Sequence, residues 1–252
     1  MAFAFHSTSE GIELLCSSIL ESPHAFSTRR GGVSIGDYGT LNLGKSSGDD
    51  PERVEENRRR FLSALGLVGP LQVGHQIHGA SVNLAPLTAG TQGDVVIAIA
   101  PGVPIGVFVA DCVPILIEDP RTHAIAAVHA GWRGTAQGAA RAAVQAMRES
   151  FGSDPGELRA AIGPSIGGCC YQVGPEVIQA LGALPDREAF VHSEDGHFYV
   201  DLQEANRQWL VDSGVTSIDV SGLCTACDAE HYFSYRRDGE RSGRMLAVIA
   251  RS

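Results

Sequence analysis

No apolar run in this sequence approaches the length of a membrane-spanning helix, which excludes a chain organised around a hydrophobic span. Basic runs are scarce too. None is longer than Arg58-Arg59-Arg60, and the formal net charge is −10 with a sequence pI near 5.3. A nucleic acid or an acidic membrane therefore finds no extended basic surface, although a local basic pocket for a small anion is left open. The opening residues MAFAFHSTSEGIELLC hold no charged segment leading into an apolar stretch, so no secretory signal is expected. Internal repeats, low-complexity tracts and Pro/Ser-rich linkers are missing as well. With 44% hydrophobic residues the chain can bury one sizeable core. One domain over 1–252 is expected, cytoplasmic, and either monomeric or homodimeric.

Cysteine is sparse and unevenly placed, at 16, 112, 169, 170, 224 and 227. Two are adjacent and two form a CxxC pair, which is not the spread framework of a secreted disulfide scaffold. In a reducing compartment these are thiols, and attention turns to metal binding or catalysis.

The β-like runs are Leu71–Val73, where one begins, Asp94–Ala98, the strongly β-branched Gly106–Ile117, and Ala124–Val128. Phe190–Val200 reads as a hairpin around Glu194-Asp195-Gly196, and Met245–Ala250 as a final buried strand. Thr135–Glu149, alanine-rich and without proline, is the clearest helix; Pro51–Leu65, Pro175–Leu181 and Leu202–Ser213 are further candidates. Strands inside and helices outside, without regular βαβ alternation, give an α+β class.

The chemistry concentrates where the apolar run Ala124–Val128 ends in His129-Ala130-Gly131-Trp132-Arg133-Gly134 and a helix begins. Glycines permit a tight strand-to-helix turn close to a ligand, and the helix N-terminus with Arg133 can grip an anion. A satisfied histidine beside a solvent-facing arginine fits the same local pattern. Cys112 sits in an apolar run where a buried cysteine is ordinarily a core residue. Its neighbour Asp111 weakens that reading, because adjacent strand residues face opposite ways and one of the two would need a polar partner. Pro114 favours an edge or a bulge. Of His75 and His78 in GHQIHGAS, His78 is better placed as a ligand, at the loop before Gly79. Two imidazoles and one thiolate suit Zn²⁺ and leave a fourth position open. Spread over fifty-one positions, His78, Cys112 and His129 make a weak signal by spacing alone.

A set of motifs in order carries more. Phe26-Ser27-Thr28-Arg29-Arg30-Gly31-Gly32-Val33-Ser34, Leu41-Asn42-Leu43-Gly44, Gln76-Ile77-His78-Gly79, Ala110-Asp111-Cys112, Val128 to Gly134, Ile162-Gly163-Pro164-Ser165-Ile166-Gly167 and Phe233-Ser234-Tyr235-Arg236-Arg237-Asp238 follow one another along the chain. From Phe26 onwards the sequence resembles the laccase-domain (YfiH-type) family, once called multicopper polyphenol oxidoreductases and now described as purine nucleoside phosphorylases. The resemblance implies that His78, Cys112 and His129 are zinc ligands. It implies two packed mixed β-sheets flanked by helices, a four-layer α/β/β/α arrangement like the catalytic domain of cytotoxic necrotizing factor toxins. It also implies phosphorolysis of adenosine, inosine and methylthioadenosine, with adenosine deamination; some bacterial relatives are instead linked to peptidoglycan-precursor editing. One departure is Gly168, where many relatives carry proline before Cys169-Cys170; it affects a loop rather than a ligand.

Within that frame Arg29 and Arg133 are candidate phosphate holders, Asp111 a proton shuttle or a group orienting a metal ligand, and Arg236 and Arg237 candidate pocket residues. Laccase chemistry needs several His-x-His pairs and a His-Cys-His run; the chain has nine histidines, no His-x-His pair, and Cys112 between Asp111 and Val113. A lone copper in the His₂Cys site stays open in vitro, since Cu²⁺ outcompetes Zn²⁺ for such donors. His192-Ser193-Glu194 with Cys224-Thr225-Ala226-Cys227 matches the deaminase H-x-E…C-x-x-C only partly, because Leu223 replaces the required proline. The CxxC pair reads as loop thiols, with no second ligand pair in sight, and Cys169-Cys170 as structural. Two competing classes remain, a metal-free hydrolase with Cys112 as nucleophile and His129 as base, and a binding protein with a closed structural zinc.

Overall fold

The computed structural model describes residues 3–184 and 186–251. In chain order the strands are β1 (Phe3–Ser7), β2 (Glu13–Ser17), β3 (His24–Ser27), β4 (Val82–Leu84), β5 (Val95–Ala98), β6 (Ile105–Val109) and β7 (Val113–Glu118). They continue with β8 (Ile125–Ala130), β9 (Arg159–Ile162), β10 (Gln172–Val173), β11 (Val191–Glu194), β12 (His197–Val200), β13 (Ser217–Val220) and β14 (Met245–Ile249). The α-helices are α1 (Pro51–Ala64), α2 (Trp132–Ala136), α3 (Ala139–Phe151), α4 (Pro175–Ala180), α5 (Leu202–Asp212) and α6 (Tyr235–Asp238).

An antiparallel five-stranded sheet, ordered β1-β2-β3-β14-β6, lies on a mixed six-stranded sheet ordered β13-β9-β7-β8-β5-β4. Strand alternation assigns the faces. Phe26, Ile105, Val107, Ala247 and Ile249 of the first sheet meet Val96, Leu116, Ile125, Ala127 and Ala161 of the second in a buried layer. The next residues along the same strands point away. Leu246 and Val248 pack with Phe61 beneath α1, while Ile115, Ile117, Ala126 and Val128 pack beneath α3 and α5. The order is α1, sheet, sheet, α3 with α5: the four-layer α+β arrangement expected from the resemblance. A three-stranded sheet, β10-β12-β11, stands beside it.

Local chemistry sets the element boundaries. Asp50 caps α1 by accepting from the Glu52 amide ahead of Pro51, a contact worth about 1 kcal/mol. Asp201 caps α5 in the same way through the Glu204 amide. The expected helix from Thr135 is in fact two, because Gly138 adopts φ 75° between α2 and α3, a left-handed turn that breaks the helical ladder. The expected hairpin is present as β11 and β12 with Asp195-Gly196 at the turn. Leu71–Val73 forms no strand; Gln72 makes a single bridge to Ile105.

The most consequential difference falls within Gly106–Ile117. This run is not one strand but two, β6 in the five-stranded sheet and β7 in the six-stranded sheet. Asp111 turns the chain between them at φ 86°, a conformation that costs a non-glycine residue about 1–3 kcal/mol. The chain thus crosses from sheet to sheet at Ala110-Asp111-Cys112.

Candidate metal centre

His129 is the fifth residue of β8 and shares the inward-facing parity of Ile125 and Ala127, so its ring points to the side of the strand that faces the other sheet. It is 2% exposed. Cys112 arrives from the crossing between β6 and β7, half-buried, and His78 from the loop before β4, exposed and at φ 60°. One ligand atom from each of the three lies within 4.8 Å of the others. The rings of His78 and His129 meet edge to face at 4.9 Å. Gly131 forms the floor: a Cβ there would lie 3.0 Å from Cys112 Sγ and 3.2 Å from His78 Nδ1. Any larger residue would fill the space where the three donors converge.

The hub of this arrangement is Asp94, which sequence reasoning used only as the first residue of a strand. Its side chain is fully buried. Oδ1 accepts from the His78 amide at 2.9 Å and faces His129 Nδ1 at 2.8 Å; Oδ2 accepts from the amides of Ile77 at 3.2 Å and Gly79 at 2.8 Å. A carboxylate there accepts the Nδ1 proton, which leaves His129 Nε2 free to ligate. Burial pushes the Asp94 carboxyl up, but the His129 and amide hydrogen bonds overcome it and hold it below its ordinary value. A buried aspartate opening the apolar run Val95–Ala98 was the available sequence signal, since such a group needs partners.

Burial likewise disfavours charge on both Cys112 and His129, yet their mutual attraction prevails. The thiol is drawn down to about 6 by the His129 charge and by hydrogen bonds from both histidines. His129 is raised to about 9 by Cys112 and by its bond to Asp94. A sulfur whose ionised form is favoured beside two imidazoles is the donor set that a borderline-soft divalent ion selects, and the residues fit zinc.

The three donors sit at the wall of a cavity of about 1630 Å³. Aromatic rings from Phe108, Trp132, Tyr171 and Tyr235 line it, together with Arg58, Arg236 and Arg244. Arg236 lies with its guanidinium 5.1 Å from the Tyr171 ring centroid and donates to the Cys170 carbonyl at 3.2 Å. Arg244, missed in the sequence, donates to the Ser242 and Gly243 carbonyls. Gln76 fixes the cavity edge through paired 2.8 Å bonds with the Phe108 backbone.

The other expected site residues are placed differently. Asp111 borders the cavity, but its carboxylate accepts from Thr225 Oγ1 and from the Arg236 amide, both at 2.6 Å. It is a clamp on the crossing and on α6 rather than a donor in the three-residue group. Arg29 is not among the cavity-lining residues. Its guanidinium donates to the carbonyls of Asp37, Gly39 and Ala229 and covers the Phe233 ring, so it ties loops together. Arg133 is exposed and stacked over Trp132 at 4.2 Å, outside the cavity lining. Arg237 donates to the carbonyls of Thr225, Ala226 and Tyr232 and bonds Asp238. His75 lines the cavity without joining the donors. His192 stacks on Tyr199 in the hairpin, away from any ligand group. The CxxC pair is not alone: Cys169 and Cys170 gather with Cys224 and Cys227 in a second group, which pairs residues too distant in sequence to be read together.

Comparison with known proteins shows the family. A family model described as multi-copper polyphenol oxidoreductase laccase matches residues 23–252. A purine nucleoside phosphorylase of Deinococcus radiodurans is 41% identical over 243 residues, covering 96% of this chain and 94% of that protein. The purine nucleoside phosphorylase YfiH of Escherichia coli is 37% identical over 228 residues, covering 88% and 91%. The crystal structure of YlmD from Geobacillus stearothermophilus superposes with a TM-score of 0.90 at 33% identity, covering 98% of each chain. With a family model spanning nearly the whole sequence and relatives aligned end to end, the chain belongs to the family described as multi-copper polyphenol oxidoreductase laccases, whose relatives here are named purine nucleoside phosphorylases.

Proposed function

We propose that this chain is a zinc-dependent purine nucleoside phosphorylase acting on adenosine, inosine and methylthioadenosine, with adenosine deamination as a second activity of the same site. On this reading it works in the cytoplasm as one domain over 1–252, monomeric or homodimeric. The observation that carries the proposal is the convergence of His78, Cys112 and His129 at the wall of a cavity that offers both aromatic faces and arginines. The names of the relatives supply the substrate class.

Zinc held by His78, Cys112 and His129 would supply Lewis acidity at a fourth, open position. Asp94 keeps the Nδ1 proton of His129 in place and so fixes which nitrogen faces the centre. Tyr171, Tyr235, Trp132 and Phe108 offer π faces to a purine. Arg236 and Arg244 carry the charge that a phosphate needs, and their carbonyl contacts hold them oriented before it arrives. In phosphorolysis a phosphate oxygen bonds to the ribose C1′ as the bond from C1′ to the purine nitrogen breaks. The electron pair leaves with the purine, which takes up the proton that the hydrogen phosphate gives up. Arginines beside the incoming phosphate stabilise it as the sugar becomes positive.

Chromatography of adenosine and inosine incubated with and without phosphate tests the reading. Ribose 1-phosphate appearing only with phosphate supports phosphorolysis, and inosine formed from adenosine reports deamination. Cys112→Ala is expected to abolish both turnover and the metal held by His78, Cys112 and His129; full activity in Cys112→Ala protein with no metal at that group would refute the proposal.

One observation favours a second reading. The lowered Cys112 thiol beside a raised, Asp94-bonded His129 is also the arrangement of a cysteine hydrolase, which could edit a peptidoglycan precursor. Activity that survives exhaustive chelation and is destroyed by iodoacetamide would select it.

A further inference from the structure

Cys169, Cys170, Cys224 and Cys227 have no part in the cavity chemistry, yet their four Sγ atoms all lie within 4.8 Å of one another. The separations are 3.8 Å for Cys169–Cys170, 3.5 Å for Cys169–Cys227 and 3.2 Å for Cys170–Cys227. A tetrahedral tetrathiolate with zinc–sulfur bonds of about 2.3 Å has sulfur–sulfur edges of about 3.8 Å. Clusters of several irons hold their ligating sulfurs farther apart, so this spacing belongs to a single ion. We infer that the four cysteines form a second, closed zinc site, structural in role and separate from the His78, Cys112 and His129 group.

The backbone around them is shaped for the task. Each pair rides on a turn, closed by the Cys170 amide on the Gly167 carbonyl at 2.9 Å and by the Asp228 amide on the Cys224 carbonyl at 3.1 Å. The Gly167 amide donates to Cys224 Sγ at 3.2 Å, a bond that favours a thiolate at that sulfur. The two turns are joined besides by a bridge between Ser165 and Cys224. On binding zinc the four thiols release four protons, each sulfur donates a pair to the ion, and the site carries a net charge of minus two.

Its position gives the site a purpose. The 165–171 segment supplies Tyr171 to the cavity wall and offers the Cys170 carbonyl to Arg236. The 223–228 segment supplies the Thr225 hydroxyl that holds Asp111. A zinc joining the two would lock the part of the wall that carries Tyr171 and Arg236, so its loss should raise KM more than it lowers kcat.

Metal analysis of purified protein tests the inference, and its outcome does not depend on what the first site does. Zinc per chain is expected to fall by one in Cys224→Ser and in Cys227→Ser, and by one independently in Cys112→Ala. Cobalt loaded into the Cys112→Ala protein should show the intense absorption of tetrahedral thiolate coordination. Should the serine variants fold poorly, the unmodified chain serves. Exposed Cys169 and Cys227 should resist iodoacetamide until a strong chelator strips the metal. Unchanged zinc content in the serine variants, rapid alkylation of the metal-loaded protein, or disulfides among these cysteines in freshly purified protein would overturn the inference.

Discussion

Replacing Asp94 by asparagine tests the centre at its hub with almost no change in shape. The carboxylate faces four donors, two on each oxygen: the His78 amide and His129 Nδ1 on one, the Ile77 and Gly79 amides on the other. In Asp94→Asn one oxygen becomes an NH₂. Turned toward Ile77 and Gly79, it leaves two amides without an acceptor; turned toward His78 and His129, it strands the His78 amide and makes His129 Nδ1 the acceptor, which moves the ring proton to Nε2. A buried donor left unsatisfied costs about 1–3 kcal/mol, so the change costs about 1–6 kcal/mol. For a chain of this size that lowers Tm by roughly 2 °C at the least. Zinc affinity should fall roughly 10–100-fold, the usual effect of removing the partner that orients a histidine ligand. Competition against a chromogenic chelator measures the affinity, and scanning calorimetry of metal-stripped protein measures the stability separately. An Asp94→Asn protein with unchanged zinc affinity would refute the claim that Asp94 sets the ligating nitrogen of His129. An unchanged Tm in the stripped protein would refute the hydrogen-bond accounting.

Further expectations follow from single contacts. Gly131→Ala places a methyl 3.0 Å from Cys112 Sγ at an ordinary φ of −72°, so it should empty the first site without unfolding the chain, as read by metal content and circular dichroism. Arg236→Ala removes a charged hydrogen-bond donor worth about 1.5–3 kcal/mol, so KM for phosphate should rise roughly tenfold or more while KM for nucleoside changes little. Exhaustive chelation should abolish phosphorolysis, and added zinc should restore it. His24 gives a pH signature: burial holds its imidazole below its ordinary 6.5, with Nε2 accepting from the Ser17 amide and Nδ1 facing the Ser22 carbonyl. The unfolded chain therefore binds the proton first, and stability should fall as pH drops through 6.5 toward the folded-state value. Urea denaturation across that interval should show a smaller slope in His24→Gln.

Two of the site's features were legible in the sequence because they are local. The HAGWRG segment announces a strand running into a helix around a glycine floor, and β8 and α2 follow it. Asp111 beside Cys112 announces a polar interruption of an apolar run, and the structure turns there. Alternation alone could not say that the two halves of that run enter different sheets, because β6 and β7 each satisfy the same pattern. The arginines show a different limit. Arg29 and Arg133 sit in conspicuous motifs, but conspicuous spacing does not say whether a guanidinium is free; Arg29 is consumed by three carbonyls. Arg244 lines the cavity from an undistinguished stretch before β14, because the sheet order brings that strand next to β6. The two cysteine pairs meet through the parallel pairing of β13 with β9 and the Ser165–Cys224 bridge beyond it, long-range contacts with no local trace.

The description of the family as multi-copper oxidases can be weighed on the same donors. A laccase must hold a blue copper and a trinuclear cluster, which demands clustered histidines. Of the nine here, His78 and His129 share one group, and His75 lines the cavity without joining it. His24 bonds Ser17 and Ser22, His231 bonds Asp228, His192 stacks on Tyr199, and His197 meets Gln172. His6 and His123 are exposed on β1 and on the turn before β8. Among the described residues the groups able to hold an ion are one of two histidines and a cysteine and one of four cysteines, each sized for a single ion. Among the described residues no group could assemble the three coppers that pass electrons to oxygen. A lone copper would compete with zinc for the first group in vitro, and any oxidase activity it conferred should then scale with added copper and vanish in Cys112→Ala, while the proposed phosphorolysis should proceed in zinc-loaded protein without it.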